Sequence, residues 1–217
     1  MLRWIKVAVF LLCLVPVGLE FRLFLTDNLG ANPVEHITHM TGLWALRFLV
    51  ITLCVTPLRK LLGQPSLIRF RRMLGLYAFF YGCLHVITYA WLYAWLEAAA
   101  VGNSFWAVVA ADLAKRPYIT MGFFAFVFMT PLAVTSTAGW IRRMGGKRWQ
   151  LLHRLIYFSA IAGVIHYLWL VKSDIRHPLM YGAMVGVLLL FRAGAALWKR
   201  AKRPISKQPV SSPSSAY

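Results

Sequence analysis

Acidic side chains are scarce in this chain. Six Asp+Glu stand against 24 Lys+Arg in 217 residues, a formal net charge of +18. Charge of any sign is also sparse, at 14% of residues, while 60% are hydrophobic. Ordinary soluble domains run near roughly 25% charged and about 45–50% apolar, so a soluble globular protein is excluded. So is a disordered one, because disordered chains are poor in apolar residues. Cysteine is nearly absent. Cys13, Cys54 and Cys83 each lie alone in an apolar run, which excludes a disulfide framework and a thiolate metal site and leaves them as small buried hydrophobes. No GxGxxG or phosphate-cradling loop opens a helix, and no polar stretch is long enough for a nucleotide-binding fold. No period of about 20–50 residues repeats. Chemistry must therefore take place in or beside a lipid bilayer.

What is abundant is long apolar runs. A helix crossing the hydrocarbon needs about 20 mostly apolar residues. Six segments qualify: Trp4–Leu25, Gly42–Leu62, Met73–Leu96, Tyr118–Thr137, Trp149–Val171 and Pro178–Trp198. The basic residues fall between them in clusters, so their charge reads as a topology signal and nucleic-acid binding is set aside. The N-terminus, the second-to-third and fourth-to-fifth connections and the tail are rich in Lys and Arg, and the three other connections are poor. The positive-inside rule then puts both termini in the cytoplasm. The expectation is an all-α integral membrane protein, a six-transmembrane-helix bundle over residues 1–200, with a disordered Ser/Pro-rich cytoplasmic tail over 201–217. Ser104–Lys115 reads as a short interfacial helix, and Asp27, Glu35 and Asp112 as an acidic outer surface suited to docking a partner.

Ionisable side chains at membrane depth mark function. At 1.5 Å per residue, His85 lies about 18 Å up the third span, His166 about 25 Å up the fifth, and His153 about 6 Å up the same span. His85 and His166 can thus meet in the outer half of the bundle. Two neutral imidazoles facing each other across a helical bundle form the ligand set of a low-spin haem iron. His153, thirteen residues before His166, belongs to a second site near the cytoplasmic face. Thirteen steps of about 100° turn it about 220° from His166, so either the helix is distorted or the two sites open toward different neighbours. Arg69, Arg71, Arg72, Arg142, Arg143, Lys147 and Arg148 surround the His153 end. They read either as a lipid-facing cluster or as contacts for a flavin phosphate or a second haem's propionate. Arg47 stands at the depth of a propionate of the outer haem, with helix–helix hydrogen bonding as its other reading. His36 and His39, in HITH, read as an outer connection that docks a partner or is plain loop, the i,i+3 pair alone being a weak signal for metal, and His177 as an interfacial loop residue.

The stretches LGANPVEHITHMTG, PLRKLLGQPSLIRFRRMLGLYAFFYGCLHVITY, RPYITMG and PLAVTSTAGWIRRMGGKRWQLLHRLIYFSAIAGVIHYLW resemble the MsrQ (YedZ) family of bacterial haem-binding membrane subunits, part of the ferric-reductase-like transmembrane family. The resemblance covers nearly the whole chain except the tail. It implies that His85 and His166 are the axial ligands of a haem b and that His153 matches the inner-haem ligand of wider relatives. The fourth histidine of those relatives is missing; Arg71 and Arg72 stand near its place. The family is described as binding FMN near the cytoplasmic face. The implied activity is electron transfer in the bacterial inner membrane, from a cytoplasmic flavin reductase or from quinol. The path runs through FMN, or a second haem, and then haem b to a periplasmic molybdopterin-containing methionine-sulfoxide reductase subunit that repairs oxidised proteins. This chain would itself be a non-catalytic subunit. Two rival readings are a stand-alone ferric or metal reductase of the same fold and a haem-free transporter.

Overall fold

The structure, a computed structural model, describes residues 2–202. The tail expected to be disordered lies outside the described residues from 203 onward. Helix α1 (Leu2–Leu25) carries Pro16 in its interior. Helix α2 (Pro33–Leu61) starts with Pro at its first position and Asn32 as its cap. The Asn32 side chain accepts from the Glu35 backbone N–H at 3.3 Å and donates back to the Glu35 carboxylate at 2.9 Å. The first of these bonds satisfies one orphan backbone donor of the first turn and the second fixes the capping side chain, and the helix therefore begins well before Gly42. His36 and His39, read as lying in a connection, are on the first turns of α2. A 3-10 turn at Pro65–Leu67 leads into α3 (Ile68–Ile87), which runs on through a π-helical stretch, Thr88–Trp95, into α4 (Leu96–Val101). Gly102, at φ 68°, ends it in the left-handed conformation that glycine adopts without strain.

Helix α5 (Phe105–Lys115) is the short outer helix expected over Ser104–Lys115. It is followed by α6 (Pro117–Val134), α7 (Ala138–Met144), α8 (Gly146–Leu152), α9 (Leu155–Leu170) and α10 (Arg176–Ala201). No strand occurs among the described residues. Among the described residues, six helices or helix runs are long and apolar enough to cross a membrane: Arg3–Leu25, Pro33–Leu61, Pro65–Val101, Pro117–Val134, Gly146–Leu170 and Arg176–Trp198. The fifth is not one helix. It breaks into α8 and α9 at His153–Arg154, so the helix is distorted, and His153 and His166 also face different neighbours, Thr135 and the Tyr118 carbonyl.

The core lies where α2 packs on α3 and α6 packs on α9, two hairpins set against each other. They are related by an internal repeat that the sequence reading did not find. Gly122 follows Gly42 by 80 residues; Gly163 follows Gly82, and His166 follows His85, by 81. Helices α1 and α10 flank this pair and leave most of their surface for lipid. Helix α1 is fastened by two tyrosines of α3. Tyr77 donates to the Phe10 carbonyl at 2.9 Å. The Tyr81 hydroxyl, in a side chain 1% exposed, donates to the Cys13 carbonyl at 2.8 Å and accepts from the Val17 N–H at 3.2 Å. Cys13 and Val17 are the pair that Pro16 opens in the helical ladder, because its ring crowds the preceding turn. The inserted hydroxyl satisfies both groups where no water is available.

Candidate functional site

His85 projects from α3 and His166 from α9, with ring centroids 5.9 Å apart and ring planes at 73°. Each is held from behind in the same way. The Nδ1–H of His85 donates to the Thr38 carbonyl of α2 at 2.8 Å, and the Nδ1–H of His166 donates to the Tyr118 carbonyl of α6 at 2.6 Å. A carbonyl only accepts, so the proton sits on Nδ1 and the lone pair is left on Nε2. A hydrogen bond from the far nitrogen to a carbonyl fixes ring orientation and raises the basicity of a metal-ligating imidazole.

Four residues beyond each carbonyl is a glycine. A Cβ at Gly42 would stand 2.9 Å from His85 Nδ1, and one at Gly122 would stand 2.8 Å from His166 Nδ1. Each carbonyl already accepts its helical N–H, and a side chain one turn on would cover its second lone pair. Glycine leaves it open to the imidazole.

Between the rings lies a cavity of about 210 Å³. Its wall repeats across the two hairpins: Gly42 with Gly122, Ala45 with Ala125, Leu46 with Phe126, Leu49 with Met129, and Gly82 with Gly163. His39, exposed, stands at its outer rim. A haem is the group the sequence implies here, and these residues fit it. Two imidazoles about 2.0 Å from a shared iron have ring centres about 6 Å apart, and the walls are apolar and narrow.

The other candidates are placed as follows. Arg47 donates through Nε to the Tyr181 hydroxyl at 3.1 Å and lies 4.5 Å over the Trp44 ring. His153 stacks on Trp149 at 3.8 Å and is 3.2 Å from Thr135 Oγ1 through Nε2. The Thr135 hydroxyl proton goes to the Pro131 carbonyl, so His153 Nε2 is the donor in that pair. Trp149 also donates to the Thr135 carbonyl at 2.9 Å. Arg72, Arg142, Arg143 and Arg148 are exposed, whereas Arg71 is half-buried. Asp112 is not part of an exposed acidic surface, as expected from the sequence. It is 5% exposed, accepts from the Tyr89 hydroxyl at 2.7 Å and pairs with Arg116 at 3.2 Å. The neighbouring Tyr93 phenol and then the Asp112 carboxylate hold Arg116 above the ordinary guanidinium range. Asp27 and Glu35 are exposed, while His36 is tied to Glu20 of α1 at 3.1 Å. The glycine cradles and Arg192 of α10 were missed by sequence reasoning; the signal that could have found the former is the offset of 80 or 81 residues between equivalent glycines and histidines.

Paired histidines on two helices of a membrane bundle define a class, and comparison with known proteins bears it out. Residues 41–164 match the ferric reductase like transmembrane component, and the chain belongs to that family, in its MsrQ branch. It is 48% identical to a protein of Herminiimonas arsenicoxydans over 93% of this chain and 89% of that one. It is 48% identical to one of Azospira oryzae over 95% and 88%, and 51% identical to one of Xanthomonas campestris pv. campestris over 81% and 74%. All three are described as the protein-methionine-sulfoxide reductase heme-binding subunit MsrQ.

Proposed function

We propose that this protein is the haem-binding, electron-transferring membrane subunit of a bacterial inner-membrane protein-methionine-sulfoxide reductase system. The observation that carries the reading is the convergence of His85 and His166 across a narrow apolar cavity, each with Nδ1–H engaged behind it and Nε2 free in front. A haem b held there by His85 and His166 would supply one-electron reduction and re-oxidation. The chain's own residues do the rest. His85 and His166 ligate, Thr38 and Tyr118 set tautomer and orientation, Gly42 and Gly122 give the carbonyls access, and the aliphatic walls exclude water. Arg47, held by Tyr181 and Trp44 next to the cavity-lining Leu46, is the cation assigned to a propionate.

The positive-inside distribution puts the His85/His166 end at the periplasmic side and the arginine-rich end in the cytoplasm. Electrons enter at the arginine-rich end from a flavin-reductase-supplied FMN or from quinol, and leave at the outer end to a periplasmic molybdopterin-containing subunit. A second, bis-histidine haem does not fit the arginine-rich end among the described residues. His153 is the one imidazole there, and its Nε2 is spent on Thr135. The test is to reduce the purified chain anaerobically and add the periplasmic subunit with methionine sulfoxide. The expected result is re-oxidation of the haem that slows when Asp27 and Glu35 are both changed to Lys. Re-oxidation that needs no periplasmic subunit, or is unchanged by the double charge reversal, counts respectively against the partner and against the docking face.

A further inference from the structure

All six acidic residues of the chain belong to one end of the bundle: Glu20, Asp27, Glu35, Glu97, Asp112 and Asp174. The opposite half has no carboxylate side chain, yet a guanidinium reaches into it. Arg192 of α10 donates to the Leu53 carbonyl of α2 at 2.7 Å and to the Tyr157 hydroxyl of α9 at 3.2 Å. Its charge lies 5.4 Å over the Tyr157 ring. Its Nε–H is buried with no partner.

One turn beyond Leu53 on α2, the hydroxyl of Thr56 is buried and unpartnered as well, the only other such side-chain atom among the described residues. This is unusual within this fold. Thr38, Thr41, Thr52, Thr130 and Thr135 all return their hydroxyl proton to the carbonyl four residues back. Thr56 does not. Half-buried Arg71 of α3 is within electrostatic reach of Arg192, Tyr157 and His153. The Arg192 Nε–H and the Thr56 hydroxyl, one turn past the carbonyl that Arg192 binds, both lack an acceptor, and the Arg71 guanidinium adds a second positive charge within electrostatic reach. A buried cation without a countercharge is costly, and the chain itself offers none in this half.

We propose that Arg192, with Thr56 and Arg71, forms an oxyanion-binding site inside the arginine-rich half of the bundle. It takes the phosphate or carboxylate of the cofactor through which electrons enter. The guanidinium fork suits either group, a flavin mononucleotide phosphate or a porphyrin propionate. Assigning a redox cofactor to the site rests on the function proposed above.

The experiment uses the full chain in phosphatidylcholine nanodiscs, which supply no net anionic lipid. FMN and riboflavin, which differ by the phosphate, are titrated by fluorescence quenching, and haem is counted per chain. Wild type, Arg192→Met, Arg192→Lys and Thr56→Val are compared. A phosphate site gives FMN binding at least about tenfold tighter than riboflavin in wild type, an advantage that Arg192→Met erases and Arg192→Lys keeps in part. A propionate site, on a haem held at this end by one imidazole at most, gives equal binding of the two flavins and a haem count that falls by one in Arg192→Met. The spectrum of the His85/His166 haem in the same sample reports folding. If Arg192→Met loses it, Arg192→Lys and Thr56→Val decide by the same criteria. A flavin ratio and haem count identical to wild type in the folded variants overturn the site and leave the proposed function standing. A wild-type protein with no haem at His85/His166 overturns the proposed function instead.

Discussion

Replacing Gly122 or Gly42 by alanine adds one methyl group behind an imidazole proposed as a haem ligand, and its consequences follow from the distances. The new Cβ at position 122 would lie 2.8 Å from His166 Nδ1, and at position 42 it would lie 2.9 Å from His85 Nδ1. Relief to ordinary contact at about 3.4 Å moves the ring by about 0.6 Å. The 2.6 Å bond to the Tyr118 carbonyl and the 2.8 Å bond to the Thr38 carbonyl are then stretched or lost. Overpacking of this kind costs about 1–3 kcal/mol, so haem binding should weaken by about 5- to 150-fold in each variant. Losing the Nδ1–H bond also makes the imidazole a poorer donor, which disfavours the ferric state. A bond worth about 0.5–1.5 kcal/mol corresponds to an upward shift of about 20–65 mV for one electron. The assay is a redox titration, together with haem transfer to an apo-globin. Gly186→Ala is the control, since a Cβ there meets nothing within 4 Å. Wild-type haem retention and potential in both the Gly42 and Gly122 variants would refute the reasoning.

Two further outcomes follow from named contacts. Tyr81→Phe leaves the Cys13 carbonyl and the Val17 N–H beside Pro16 without partners; it should lower stability by about 1–3 kcal/mol, read as a lower melting temperature in detergent with the haem spectrum unchanged. Asp112→Ala strips Tyr89 and Arg116 of their shared acceptor. It should loosen α5 by about 1–3 kcal/mol and open the Phe105–Lys115 region to limited proteolysis, whereas a wild-type digestion pattern would show that α5 is held by its apolar contacts alone.

The spans and the His85/His166 pair were legible because they depend on local composition and on rise per residue. Membrane depth filters ionisable residues so strongly that three histidines in two spans stood out. The glycine cradles were not legible. Gly42 matters because of a ring 43 residues away, and nothing near it in sequence records that contact. The repeat was hidden because the two hairpins share little beyond the glycines, the histidines and small wall residues such as Ala45 and Ala125. The break between α8 and α9 has no Gly or Pro to announce it; the tie of His153 to Thr135 is a tertiary contact. Asp112 read as surface because an acid in a connection usually is, and only the fold shows Tyr89 and Arg116 closing over it. Arg192 went unremarked among the basic residues of the last span, since its significance lies in the Leu53 carbonyl and Tyr157 that receive it.

The most direct measurement of the central claim is electron paramagnetic resonance of the oxidised, purified chain alongside its His85→Ala, His166→Ala and His153→Ala variants, with haem quantified in each. The account predicts a low-spin signal from two imidazole ligands in wild type, its retention in the His153 variant, and its loss in each of the other two. A signal that survives both the His85 and the His166 substitution, or that vanishes only with His153, would contradict it.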